Sequence, residues 1–134
     1  MFTRHEIDLI QHSFEKVMPN FFDFSQEFYN TLFAAHPEFE MHFREDRQSM
    51  GRKLLKVLLK VVNHLEQLEA LQDDFSALGA RHTQRGIQAA YYAPFGDALI
   101  GALHNRIGSN FTAETEAAWR KVYGVMAQMS MAGM

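Results

Sequence analysis

The sequence predicts an all-α domain, and three observations carry that prediction. Apolar residues recur at three- and four-residue spacing along most of the chain, as one face of a helix requires. No stretch of useful length alternates apolar and polar residues as a half-buried strand does. Proline and glycine fall between the periodic runs and punctuate them as helix ends. The unequal lengths of the runs suit helices packed ridge into groove rather than a symmetric bundle.

Each element has its own signal. Thr3 with Glu6 forms a capping-box pattern, and Ile7, Ile10, Phe14 and Val17 follow on one face until Pro19 ends the helix. A second helix carries Phe21, Phe24, Phe28 and Leu32 and closes before His36-Pro37, because the residue preceding proline disfavours helix. The run from Phe43 to Gln48 reads as a polar loop. A long helix is expected from about Ser49 to Leu68, with Leu54, Leu58, Val61, Leu65 and Leu68 on its main face. The next spans Asp73 to Arg85, begins with acidic residues suited to the positive end of the dipole, and stops at Gly86. Pro94 is expected to open a helix through Phe95, Leu99, Leu103 and Ile107. Gly108-Ser109-Asn110 is a turn, and Thr112 starts a last helix through Trp119, Val122, Val125, Met126 and Met129.

Length and composition narrow the function classes. A chain of 134 residues holds one domain, so 1–134 is expected to fold as a unit. Thirteen Lys and Arg against sixteen Asp and Glu give −3, which argues against nucleic acid as the main partner. The chain has no cysteine, which removes disulfides, thiolate metal sites and cysteine nucleophiles. The longest apolar stretch, Leu54 to Leu65, is interrupted by Lys56, Lys60, Asn63 and His64 and falls short of the roughly 20 apolar residues a membrane span needs. The N-terminus is charged at once and lacks a signal-peptide core, so the expected location is the cytoplasm. Monomer and homodimer are both compatible with these features.

Seven histidines are the chief chemical candidates: His5, His12, His36, His42, His64, His82 and His104. No pair has the spacing of a helical zinc site. His82 stands apart because it follows Phe75 and Leu78 on the apolar face of its helix. A single imidazole aimed at an apolar interior suits an axial metal ligand and equally a hydrogen-bonded core histidine. Tyr29 lies beside the Phe21/Phe24/Phe28 stripe, and Met50 shares a face with Leu54, Leu58 and Val61. Both also suit plain core packing.

Taken together and in order, these residues resemble a known family over the whole chain. The similarity runs through Glu6-Ile7, Leu9-Ile10 and Ser13-Phe14, then Phe28-Tyr29, Leu32-Phe33, Pro37-Glu38 and Phe43. It continues through Arg52-Lys53-Leu54, Leu65-Glu66 and Leu68. The strongest stretch is Leu78-Gly79, Arg81-His82, Gly86-Ile87, Tyr92 and Gly96, followed by Ala118-Trp119, Lys121 and Tyr123-Gly124. The chain resembles the globins, specifically the bacterial single-domain globins related to the haem domain of flavohaemoglobins and to Vitreoscilla-type haemoglobin.

The resemblance implies a three-over-three helical sandwich around haem b, with His82 as the proximal iron ligand. It implies that Phe43 packs flat on the porphyrin, that Pro37 shapes the corner before it, and that Tyr29 points its hydroxyl at the bound gas. Counting from His82 puts the distal position on Met50 and the next inward turn on Leu54. Lys53, Val57, Ile87, Tyr92, Phe95, Tyr123 and Met126 complete the implied pocket. The implied activity is reversible binding of O2, and of CO and NO, for oxygen binding, storage or delivery. One alternative is NO dioxygenation or peroxidase-like chemistry using Tyr29 and Tyr92 with an external reductase. Another is a redox or gas sensor in which Met50 supplies a sixth ligand.

Four departures from the family pattern bear on these roles. Met50 stands where relatives often carry Gln or His, and a thioether donates no hydrogen bond, so donation falls to Tyr29 unless Gln48 swings in. Met134 falls at the position of the acidic companion of Tyr92, which leaves the proximal relay incomplete. Tyr91 replaces a common histidine and Phe95 a common valine on the proximal side. The loop after Phe43 is a few residues shorter than in flavohaemoglobins. The chain also ends after its last helix, so turnover is expected to need an outside electron donor.

Overall fold

The computed structural model describes residues 1–134 and contains helices joined by turns, with no strand. Six α-helices follow in order: α1 (Arg4–Val17), α2 (Phe21–Ala35), α3 (Arg47–Val62), α4 (Gln72–Gln84), α5 (Tyr92–Ile107) and α6 (Ala113–Met131). Short 3-10 segments occupy most of the connections, including Pro37–His42 before α3 and Ala89–Tyr91 before α5. Helices α1, α3 and α4 form one layer over α2, α5 and α6. The main crossings between the layers are α4 on α6, α1 on α6 and α2 on α3.

Local chemistry sets the helix ends. At α1 the Thr3 hydroxyl accepts from the Glu6 N–H at 3.0 Å, and the Glu6 carboxylate accepts from the Thr3 N–H at 2.8 Å. Asp46 caps α3 by accepting from the Ser49 N–H at 2.8 Å, so that helix starts at Arg47, inside the stretch expected to be loop. Thr112 caps α6 in the same way through Thr115.

Two further boundaries differ from the periodic expectation. Helix α3 ends at Val62 rather than Leu68. The His64 Nδ1–H donates to the Lys60 carbonyl at 2.7 Å, which satisfies a last-turn acceptor and lets the backbone leave the helix. Leu65, Leu68 and Leu71 are still buried, but from a turn and a 3-10 segment. Helix α5 begins at Tyr92, so Pro94 lies within its first turn, where the missing N–H has no intrahelical acceptor to serve.

The two layers close over a continuous core. Trp119 is fully buried, and its indole N–H donates to Ser13 Oγ at 2.8 Å, joining α6 to α1. The Ser13 hydroxyl donates onward to the Leu9 carbonyl at 2.7 Å. No buried side-chain polar atom lacks a partner. No helix is long and apolar enough to cross a membrane.

Candidate cofactor pocket

A cavity of about 440 Å³ opens between α3 on one side and α4, α5 and α6 on the other. Its walls are mostly apolar. Phe43, Met50, Leu54 and Val57 come from the corner and α3, and Tyr92, Phe95, Tyr123 and Met126 from α5 and α6. His82 enters from the last turn of α4, and Tyr29 from α2. Of the residues singled out from the sequence, His82, Phe43, Tyr29, Met50, Lys53, Leu54, Val57, Tyr92, Phe95, Tyr123 and Met126 all line this cavity.

Ile87 does not. It is buried in the core, 2% exposed, outside the cavity wall. Its backbone N–H donates to the His82 carbonyl at 2.9 Å, and the Gly86 N–H donates to the Thr83 carbonyl at 3.0 Å. These two bonds close α4 in a Schellman turn, with Gly86 at φ +87° supplying the left-handed residue. Ile87 thus serves the end of the helix that carries His82. Gln48 is exposed and also lies outside the wall, so it offers the cavity no donor.

The imidazole of His82 is held from one side. Its Nδ1 lies 2.7 Å from the Tyr92 hydroxyl, while Nε2 takes no protein partner. Burial, followed by the nearby Arg85 and Arg81 charges, pulls its pKa down to about 4, so the ring is neutral near pH 7. Tyr92 is anchored in turn, because the Tyr123 hydroxyl donates to its backbone carbonyl at 2.6 Å. Burial raises the Tyr92 phenol, and the Ser130 hydroxyl beside it acts in the opposite direction. Ser130 is 1% exposed and lines the cavity, whereas Met134 is 38% exposed past the end of α6. The α6 side chain beside the Tyr92 phenol is therefore the neutral Ser130, while Tyr123 of the same helix meets the Tyr92 backbone. Sequence reasoning missed Ser130, although it lies four residues beyond Met126, one helical turn along the same face.

Across the cavity, Tyr29 is 8% exposed. Burial pushes its phenol up to about 12; the Arg47 charge lowers it by less and the Glu45 charge adds to the rise. The hydroxyl is thus protonated at neutral pH and available as a donor. Its ring is set among Phe28, Phe33 and Phe43, with centroids 4.8, 5.9 and 5.9 Å away. Phe43 also meets Phe95 edge-on at 5.8 Å.

The cavity mouth is cationic. Arg44, Lys53, Lys56, Lys60, Arg81 and Arg85 line it, against the carboxylates of Glu45 and Asp74 alone. Lys53, Lys56 and Lys60 recur at three- and four-residue spacing, which puts them along one side of α3. Glu45 is held down to about pKa 2, chiefly by hydrogen bonds from Lys53 and Ser49. Arg85 of α4 reaches the same carboxylate at 3.1 Å. Lys60 pairs with Asp74 at 3.1 Å, while Lys56 and Arg81 have no carboxylate partner. Sequence reasoning assigned only Lys53 of this set to the pocket, because exposed cations carry no periodic apolar signal.

A six-helix sandwich with one histidine presented to an apolar, cation-rimmed cavity defines a helical cofactor-binding protein. The globin family model matches residues 26–130, and the chain belongs to the globin family, which implies a haem. Flavohemoproteins are among its relatives. That of Vibrio cholerae is 26% identical over 132 residues, which cover 96% of this chain and 34% of the relative. That of Rhizobium meliloti is 25% identical over 137 residues, covering 100% and 34%. The chain thus spans about a third of the length of these relatives. A bacterial globin from Campylobacter jejuni shares the fold at a TM-score of 0.83 and 24% identity, covering 97% of this chain and 94% of that one. A neuroglobin from the acoel Symsagittifera roscoffensis does so at 0.84 and 20%, covering 98% of each.

Proposed function

We propose that this chain binds haem b through His82 and reversibly binds O2 on the Tyr29 side of the cavity, for oxygen binding, storage or delivery. The observation that carries this reading is the His82 imidazole, with one nitrogen tied to Tyr92 and the other unpartnered at the wall of an apolar cavity. The residues present fit the group. A neutral imidazole suits iron, apolar walls suit a porphyrin, and a cationic mouth suits its carboxylates. Haem held by one imidazole supplies an open coordination position for O2, CO or NO.

The chain's own residues do the rest. For Nε2 to face a metal, Nδ1 must carry the proton and donate it to the Tyr92 oxygen, which fixes the tautomer and ring orientation. Tyr123 keeps Tyr92 in place by gripping its carbonyl. On the other side the protonated Tyr29 phenol donates to a polar diatomic, a bond worth roughly 1.5–3 kcal/mol where the acceptor carries charge. Met50, Leu54 and Val57 line the same space without a hydrogen-bond donor and exclude water. Absorption spectra of the ferric, ferrous, O2 and CO forms test the reading. A Soret band with reversible O2 and CO shifts is expected, and it should be absent from His82→Ala. A purified chain that takes up no haem overturns it.

A second reading, NO dioxygenation with an external reductase, draws on the Tyr92–His82 hydrogen bond, which raises the basicity of the imidazole. The neutral Ser130 beside Tyr92 makes that effect weaker than a carboxylate would. Stopped-flow mixing of the O2 form with NO separates the two readings: fast, complete conversion to nitrate favours the dioxygenase.

A further inference from the structure

His42 lies outside the cavity wall, yet it joins the two sides of the cavity. It is the last residue of the 3-10 segment Pro37–His42, and the next residue, Phe43, lines the pocket. Its Nδ1 lies 2.9 Å from the backbone carbonyl of Arg85. A carbonyl only accepts, so Nδ1 carries the proton and donates. Arg85 caps α4, three residues after His82, and its carbonyl is one of those that a helix leaves without an intrahelical donor.

The contact is built from several directions. With Nδ1 donating, Nε2 of the neutral ring is an acceptor, and the Tyr91 hydroxyl approaches it at 3.5 Å. Tyr91 is itself stacked on Phe39 of the same 3-10 segment, with centroids 4.0 Å apart. The imidazole also packs directly on Gly86, where an added Cβ would come within 2.9 Å of Nδ1 and Cε1. Gly86 is the left-handed residue of the Schellman turn, so His42 rests on the backbone that shapes the end of α4. A second tie runs from the Arg85 guanidinium to Glu45 at 3.1 Å. Residues 42 and 45 thus grip Arg85 from both sides of Phe43-Arg44, one through its backbone and one through its side chain.

We infer that His42 is a positioning residue: by tying the corner that carries Phe43 to the last turn of α4, it sets where His82 presents its imidazole. The inference rests on the haem reading above. It makes the two faces of the pocket mechanically dependent. A displacement of Phe43 on one face is passed through the His42 hydrogen bond, beside the Glu45–Arg85 tie, to the helix turn whose carbonyls belong to residues 82, 83 and 85.

The test uses the full chain loaded with haem, in wild type and in two variants. His42→Leu keeps bulk on Gly86 but removes the donor. His42→Asn returns an N–H near the place of Nδ1. Two quantities are read: amide hydrogen exchange at Gly86 and Ile87, and the iron–histidine stretching band of the ferrous form. In His42→Leu, exchange at both amides is expected to quicken by about three- to tenfold, the worth of one neutral hydrogen bond, and the stretching band to move. His42→Asn is expected to restore both. A band in His42→Leu that coincides with wild type overturns the inference even if exchange quickens, because His42 is then only a local cap. Failure of His42→Asn to restore a moved band overturns it as well, since the hydrogen bond is then not the cause. A chain that takes up no haem overturns the functional reading and this inference with it; a haem-loaded chain with an unmoved band overturns this inference alone.

Discussion

At the scale of single residues, the proposed haem site turns on Tyr29 and His82, which face the cavity from α2 and α4, and each makes a separate prediction. Tyr29 is buried, protonated and surrounded by phenylalanine rings, so removing its hydroxyl changes little except the donor. Tyr29→Phe is expected to speed O2 release by roughly 10- to 100-fold, in line with the loss of a charge-assisted hydrogen bond, and to leave CO release nearly unchanged. Flash photolysis and stopped-flow displacement check both rates. His82 predicts a pH dependence. Its pKa is about 4 in the folded chain against an ordinary 6.5, so between those values the unfolded state takes up a proton that the folded state refuses. The contribution is complete above pH 6.5 and is lost as pH falls toward 4. It amounts to on the order of 2 kcal/mol after allowance for partial exposure of the ring. Urea titrations of the haem-free chain from pH 7 to 4 should show wild type losing more stability than His82→Gln over that window.

At the scale of elements, helix ends and helix crossings decide where those residues stand. Asp46 starts α3 and thereby sets the register that turns Met50, Leu54 and Val57 to the cavity. Asp46→Ala is expected to cost about 1 kcal/mol of stability, measured by denaturant titration. The α4–α6 crossing is tighter. A Cβ on Gly79 would stand 1.8 Å from the Ser130 carbonyl oxygen, which is backbone and cannot swing aside. Gly79→Ala is expected to destabilise the chain by about 3 kcal/mol and to weaken haem retention, because α4 carries His82 and must move. Thermal unfolding and haem transfer to a scavenger protein check the two effects. The helices themselves were legible in the sequence, since Ile7-Ile10-Phe14 and Phe21-Phe24-Phe28 advertise their buried faces. The end of α3 was not, because Leu65 and Leu68 keep helical spacing while being buried from a turn. Apolar spacing reports which side chains face inward and is blind to a side chain such as His64 that takes a backbone acceptor from the helix.

At the scale of the whole molecule, the layers are joined by few polar contacts inside a largely apolar core. The Trp119–Ser13 bond links α6 to α1 across 106 positions of sequence, and both partners are buried. Ser13→Ala leaves the indole N–H without an acceptor and is expected to cost about 1–3 kcal/mol, with a parallel drop in melting temperature. Haem is expected to raise the melting temperature in a concentration-dependent way if it binds the folded chain alone.

The sequence by itself determined the helical class and the faces that turn inward, while the pairing of His82 with Tyr92 was implied only by the family resemblance. The class and the faces are local properties, written in residue spacing. Only the tertiary structure decided what stands next to Tyr92, where Ile87 goes and why His42 matters. Ser130 and His42 lie at the ends of elements, distant in sequence from the residues they touch, and Glu45 reaches across to Arg85 as well as to its neighbours Ser49 and Lys53. Their roles come from helix crossings and from backbone carbonyls at helix ends. A side-chain pattern carries no record of either, because a carbonyl acceptor belongs to every residue and only packing determines which one is left to be met.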